Sequence, residues 1–367
     1  MVKRCDVVGA SIAASELRAL VARLFAAAGI PSHDAHTVAE ALVNADLEGQ
    51  PSHGVMLVEM YLDHIRKGSV SLAAEAVVVS DNGAAVVLDA RNALGHVTSD
   101  QAMRLAIERA RKFGVGITAV RHGFHFGTAR RFALQAAAAD CVGIAMCNTR
   151  TLMPAPGGAE RLVGNNPIAI AVPSNGPIPI VLDMATSEAA MGKIRMAERA
   201  GQPIPDNWAV KNDGSPTTNA TEAIAGMLLP AAGPKGFALS FLIDLMCGLL
   251  SGGAIGAAVQ PLYDNAGAPY DCSHLFIAID VAHFGNPTSI GKLAADAGER
   301  VRNSKRAPGI DHVYAPGEPE WRKRQATAGK VNLTPSIAQM LVRLAKELGV
   351  SPAPIEDQGK EAGNAKA

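Results

Sequence analysis

The sequence has no C-x-x-C pair: Cys5, Cys141, Cys147, Cys247 and Cys272 are scattered, four of them in apolar surroundings. That argues against a redox dithiol or a disulfide framework and reads as reduced core thiols in a cytosolic protein. Charge of one sign is not in excess either, with 34 basic and 34 acidic residues. A balanced surface offers no pull toward nucleic acid or an anionic membrane, so the expected partner is a small molecule. No charge-free apolar run reaches the roughly 18 residues that cross a bilayer. Asp6 follows Lys3 and Arg4 too closely for a secretory leader, which makes the cytoplasm the expected location. Also missing are G-x-S-x-G and any cysteine adjacent to a histidine, so nothing favours nucleophilic catalysis.

What is present is ample apolar residue, 48% of 367, enough for a large core spread over two or three domains. Three amphipathic helices are expected first. One is capped by Ser15, with Leu17, Leu20, Val21, Leu24 and Phe25 on one face; one runs from Ser32 to Gly49; one runs from Ser52 to Gly68. The pattern then alternates. Strands at 77–79 and 84–88 flank Asn82-Gly83, followed by a helix at 99–112, a strand at 115–120, a helix at 128–139 and a strand at 142–147. Strands at 168–172 and 178–182 precede a helix at 187–199 and a polar loop at 201–218. A long apolar helix at 237–250, a strand at 275–281 and helices at 289–303 and 336–348 complete the reading. The fold class is α/β, a mixed-sheet core with a helical layer from the N-terminal region to which the C-terminal helix returns. Residues 1–75, joined by helices within 289–350, form the helical part; 76–288 form the core, and 351–367 a frayed tail.

Several short segments carry chemistry. His53 follows a Gln50-Pro51 turn and heads the third helix, where the helix field disfavours imidazolium and keeps the ring ready to exchange protons near pH 7. Ser52-His53-Gly54 alone is too short to separate that role from simple capping. His122-Gly123-Phe124-His125-Phe126-Gly127 lies between a strand and a helix, the place where ligands gather in α/β sheets, and favours His125 over His122. The pairs His33/His36 and His122/His125 have no Cys, Asp or Glu at ligand spacing, so no metal is expected. The dinucleotide fingerprint G-x-G-x-x-G after a strand is absent; the nearest cluster, Ser251-Gly252-Gly253-Ala254-Ile255-Gly256, follows a helix. A dinucleotide would need another route. Gly164-Asn165-Asn166-Pro167, Asp183-Met184-Ala185-Thr186-Ser187 and Lys235-Gly236 offer one, with the Thr186 and Ser187 hydroxyls at a helix N-terminus and Lys235 as a point charge for phosphate.

Taken together, Ser52-His53-Gly54-Val55, His125-Phe126-Gly127, Gly164-Asn165-Asn166-Pro167, Asp183 to Ser187, Pro216-Thr217-Thr218, Leu228 through Gly236 and Pro316-Gly317-Glu318 resemble, in order, the type-2 malate/L-lactate dehydrogenase family. Its relatives include ureidoglycolate, sulfolactate and diketogulonate dehydrogenases and reductases of cyclic imines. The resemblance implies a non-Rossmann nicotinamide-binding fold, NAD or NADP as cofactor, and a homodimer. It implies hydride exchange with a small 2-oxo or 2-hydroxy acid, with cyclic imine reduction or a catalytically idle ligand-binding role as the alternatives. On the family's pattern His53 or His125 exchanges the proton and Asp183 orients a catalytic histidine. Thr149, Asp183, Met184, Ala185, Thr186, Ser187, Lys235, Gly236, Gly317, Glu318 and Pro319 fall where relatives hold the cofactor. Ser52 falls at the substrate. Departures are equally plain: Leu57 stands where relatives usually carry a substrate-gripping arginine, and Glu48 where many have another. Arg130 and Arg131 stand where a glycine and an aromatic are usual, as candidate replacement cations for a substrate carboxylate.

Overall fold

The computed structural model describes residues 10–73, 75–352 and 356–357. Cys5 and most of the expected tail lie outside the described residues. The chain opens with β1 (Ala10–Ala13), α1 (Ala14–Ala27), α2 (Ser32–Leu47) and α3 (Val58–Arg66). Then come β2 (Val77–Asn82), β3 (Ala85–Asp89), α4 (Gly95–Phe113), β4 (Val115–Gly123), α5 (Arg130–Ala137) and β5 (Cys141–Cys147). Next are β6 (Ile168–Val172), β7 (Ile180–Met184), α6 (Met191–Arg199), β8 (Ala209–Val210), α7 (Ala220–Ala225) and β9 (Met227–Leu228). Last are α8 (Pro234–Ser251), β10 (Cys272–Asp280), α9 (Pro287–Arg302), α10 (Glu318–Ala326), β11 (Lys330–Leu333), α11 (Pro335–Glu347) and β12 (Glu356–Asp357).

These elements form two compact units, Met1–Ala74 with Pro319–Ala367, and Glu75–Glu318. The second junction therefore falls later than 288/289, and α9 belongs to the larger unit. The reason is local: the Asn175 N–H donates to the Gly291 carbonyl at 3.1 Å and its side-chain amide to the Thr288 carbonyl at 3.0 Å, pinning α9 to the loop between β6 and β7. Within the smaller unit, α1 and α2 bury Leu17, Leu20, Val21, Leu24 and Phe25 with Val38, Leu42 and Val43, and α3 adds the fully buried Tyr61. β1 pairs antiparallel with β11 and with β12.

The larger unit is built on a seven-stranded sheet of order β2-β3-β4-β10-β5-β6-β7. β3 and β4 run parallel because α4 crosses between them; every other pair in the sheet is antiparallel. The period-2 alternation of β10 divides the core into two faces. Phe276 and Ala278 join Met103, Ala106, Phe132 and Ala133 of α4 and α5, while Leu275 joins Ile243 and Cys247 of α8 with Ala119 and Met146. A satellite cluster of Ile194, Ile204, Ala209, Ala223 and Leu228 closes around β8 and β9.

Among the described residues α8 is the one helix long and apolar enough to span a membrane, despite Lys235 and Asp244. Its Ser240, Asp244 and Gly248 are nevertheless buried, and Asn166 and Asn148 of the sheet unit hydrogen-bond to Ser240 and Asp244. It is anchored as a core helix on that side.

Candidate active site

In the smaller unit, Ser52-His53-Gly54 does not open an α-helix. Residues Pro51–His53 and Val55–Leu57 form two consecutive 3-10 turns, and α3 begins only at Val58. The helix-field argument for a neutral His53 therefore fails, because the ring lies at the C-terminal end of a one-turn segment. Burial does the work instead, lowering the His53 pKa below the ordinary imidazole range. Ser52 Oγ lies 3.0 Å from His53 Nδ1. Leu57 is 2% exposed and faces the core. Glu48 pairs with Arg324 at 3.5 Å within the same unit.

Sequence reasoning missed Asp46. It stands in the last turn of α2, and its Oδ2 accepts the Val55 N–H at 2.8 Å. A Cβ at position 54 would overlap the Asp46 carboxylate, so this approach requires glycine. Burial raises the Asp46 pKa from 3.8 to about 7, with the Val55 N–H pulling the other way. The available signal was an acid set among Val43, Ala45 and Leu47, all core residues. Because the folded-state pKa is the higher one, the folded chain holds a proton that the unfolded chain has lost between pH 4 and 7, and stability drains across that window. An Asp46→Asn protein should gain on the wild type by up to roughly 3 kcal/mol from pH 4 to 7 and hold that margin above it, measured by urea unfolding.

In the larger unit, β7 extends to Met184, so Asp183 and Met184 are strand residues. Asp183 Oδ2 accepts the Arg130 backbone N–H at 3.2 Å, fixing the start of α5 and the end of the loop that carries His125-Phe126-Gly127. His125 is half-buried in that loop. The helix after β7 starts at Met191, not 187, so Thr186 and Ser187 are not at a helix N-terminus. Ser187 instead bridges to Pro230, and its hydroxyl donates to the Ala189 carbonyl at 2.9 Å.

Three segments separate in sequence are tied into one assembly. Thr149 donates its N–H to Asn166 Oδ1 at 2.8 Å and its hydroxyl lies 3.1 Å from Asn165 Oδ1. The fully buried Asn166 donates to the Ser240 carbonyl of α8 at 2.9 Å, and the Ser240 hydroxyl donates to the Gly164 carbonyl at 2.8 Å. The Thr186 N–H donates to the Asn165 carbonyl at 3.2 Å, and the Ala231 N–H to the Thr186 carbonyl at 2.9 Å. These bonds set the end of β7 beside the segment that leads into α8. The Thr186 hydroxyl is buried and makes no hydrogen bond among the described residues. α8 opens at Gly233 (φ +62°) with no side-chain cap and no acid in its first turn, and Lys235 there is exposed.

Of the other expected site residues, Arg131 and Glu318 are committed to partners. Arg131 forms a two-pronged pair with Asp100 at 3.2 and 2.7 Å. Arg130 is 3% exposed. Glu318 is fully buried, its carboxylate accepting from the Ala315 N–H at 3.1 Å and Arg302 Nη1 at 3.4 Å, so it shapes its loop. Gly317, at φ +85°, lies against Val181 of β7, where a side chain would collide. Pro319 begins the smaller unit's return segment. Among the described residues no group of three or more His, Cys, Asp or Glu side chains is arranged to hold a metal.

The larger unit thus joins a mixed sheet to an uncapped helix N-terminus beside a strand end, without the glycine-rich Rossmann fingerprint. The family model for malate/L-lactate dehydrogenase matches residues 12–342, and the chain belongs to that family. The malate dehydrogenase of Pyrococcus abyssi is 36% identical over 311 residues, 83% of this chain and 85% of that one. The NAD(+) ureidoglycolate dehydrogenase of Escherichia coli O157:H7 is 34% identical over 332 residues, 90% of this chain and 95% of that one. The solved sulfolactate dehydrogenase of Methanocaldococcus jannaschii superposes with a TM-score of 0.88 at 32% identity, covering 93% of this chain and 98% of that one. The protein is an oxidoreductase of the mixed α/β architecture that the sequence resemblance implies.

Proposed function

We propose that the protein is an NAD(P)-dependent dehydrogenase of a small 2-hydroxy acid, running in reverse as a 2-oxo acid reductase. The observation that carries this reading is the start of α8, where an uncapped helix N-terminus and the exposed Lys235 stand together, with no ion-pair partner for Lys235 among the described residues. A cation at the positive end of a helix dipole is unfavourable unless an anion shares the position, which fits a phosphate of the cofactor. The unpartnered Thr186 hydroxyl beside it supports the same assignment. We assign Thr149, Asp183, Met184, Ala185, Thr186, Ser187, Lys235 and Gly236 to the cofactor, with Gly317 backing the strand. Bound nicotinamide supplies or accepts the hydride.

The chain's own part is proton exchange and orientation. His53 takes the hydroxyl proton of a hydroxy acid and returns it in the reverse direction, and its lowered pKa keeps it in the accepting state at pH 7. His125 is the second candidate, in the loop whose end Asp183 fixes. Leu57 is buried and Arg131 is tied to Asp100; we assign Arg130, at the start of α5, to a substrate carboxylate. The four described cysteines are buried and free, in keeping with the cytoplasm.

Oxidation of NADH and NADPH against a panel of 2-oxo acids and of piperideine- and pyrroline-2-carboxylate tests the reading. Turnover of a 2-oxo acid supports it, turnover of cyclic imines alone replaces it, and turnover of neither overturns it. Lys235→Ala should weaken cofactor binding about tenfold, with a shallower salt dependence in fluorescence titrations. A homodimer is the proposed assembly, since α8 exposes Leu239, Leu242, Met246, Leu249 and Leu250 in a patch larger than scattered surface leucines make. Sedimentation equilibrium should return twice the monomer mass, and Leu249→Glu should lower it to one.

A further inference from the structure

The two 3-10 turns that carry His53 are weakly held by their own backbone. Their backbone bonds include His53 N–H to Gln50 carbonyl at 3.0 Å, Gly54 N–H to Pro51 carbonyl at 3.0 Å and Leu57 N–H to Gly54 carbonyl at 3.1 Å. Single 3-10 turns have poorer hydrogen-bond geometry than α-helix and are easily deformed. A side chain whose reacting nitrogen must stay within a few tenths of an ångström of its target needs an external clamp. One is present: Asp46 reaches from the packed last turn of α2, accepts the Val55 N–H at 2.8 Å and occupies the space above Gly54.

We infer that Asp46 is a positioning residue for His53: its carboxylate fills the volume left by the missing Gly54 side chain and holds the Val55 N–H, so the turn that presents the imidazole has one place to sit. Gly54 is then a receptor for a carboxylate, and its φ of −94° needs no glycine on conformational grounds. Asp46 sits among core residues of α2, with Val43, Ala45 and Leu47 buried, so its position is set by helix packing and transmitted to the turn. The inference rests on His53 as the proton-exchanging group proposed above.

The test compares Asp46→Ala, Asp46→Asn and Gly54→Ala with His53→Ala, reading kcat, KM, cofactor Kd by titration and melting temperature. Asp46→Ala removes both the filler and the acceptor and should lose about 100-fold in kcat with cofactor Kd unchanged. Asp46→Asn keeps the shape and the acceptor and should stay within about fivefold of the wild type. Gly54→Ala leaves Asp46 in the chain but displaces its carboxylate; it should reproduce the kcat loss, and it decides the matter if Asp46→Ala does not fold. Normal kcat in Asp46→Ala or Gly54→Ala beside an inactive His53→Ala overturns the positioning role alone. Equal losses in Asp46→Asn and Asp46→Ala overturn it too, since charge and not shape would then be at work. Full activity of His53→Ala overturns both this inference and the reading it rests on.

Discussion

Replacing His53 by alanine should lower kcat by about 10²- to 10⁴-fold while leaving the Kd for NADH or NADPH unchanged, because general acid–base help of that size is lost without touching the groups assigned to the cofactor. The pH dependence gives a second reading of the same group. Burial lowers the His53 pKa below 6.5, so oxidation of a hydroxy acid, which needs the neutral ring, should persist below pH 6.5 and fail only in stronger acid. A profile that collapses at or above pH 6.5 would assign the proton to a more exposed histidine. His125→Ala is the matching control: a loss in His125→Ala with none in His53→Ala would move the role to the loop between β4 and α5.

The second large effect is structural and lies at Asn166. Its side chain accepts the Thr149 N–H, lies 3.2 Å from the Thr149 hydroxyl and donates to the Ser240 carbonyl, with no exposure to solvent. Asn166→Ala would leave these groups buried without partners at about 1–3 kcal/mol each, so a total loss of roughly 3–5 kcal/mol is expected. At about 2–4 °C per kcal/mol for a unit of this size, thermal unfolding should move down by roughly 10 °C. Cofactor affinity should fall further than in Lys235→Ala, because Asn166 ties the Gly164–Pro167 segment to α8. An Asn166→Ala protein with wild-type melting and wild-type affinity would dissolve the assembly assigned to the cofactor.

Much of this molecule was legible along the chain. The strands expected at 77–79, 84–88, 115–120, 142–147, 168–172 and 178–182 fall on strands that the structure contains, and Gly29, Gly49 and Gly68 follow helix ends with positive φ as their type requires. Boundaries slipped where local signals competed. Ser15 and Ser32 look like caps, but α1 and α2 start from Ala13 and Pro31, and neither start has a side-chain cap. The helix expected from Ser52 breaks into 3-10 turns because the Val55 N–H is taken by Asp46 and Gly54 turns to an extended conformation. β1, β11 and the short β8–β9 pair were not read at all, since two- to four-residue strands hold no periodicity to detect.

The candidate site divides along the same line. Residue types and their order determined the family, the absence of a Rossmann loop and the set of groups proposed for a nicotinamide cofactor, because those properties belong to short contiguous segments. Which members of the set are free to act was decided by partners distant in the chain. Arg131 is spent on Asp100, Glu318 on Arg302, and Leu57 on the core, while Thr149, Asn166, Thr186 and Ala231 are linked across some 80 residues of sequence. A hydrogen bond between residues so far apart leaves no pattern in a linear sequence; it exists only once the sheet has closed and α8 has docked on it.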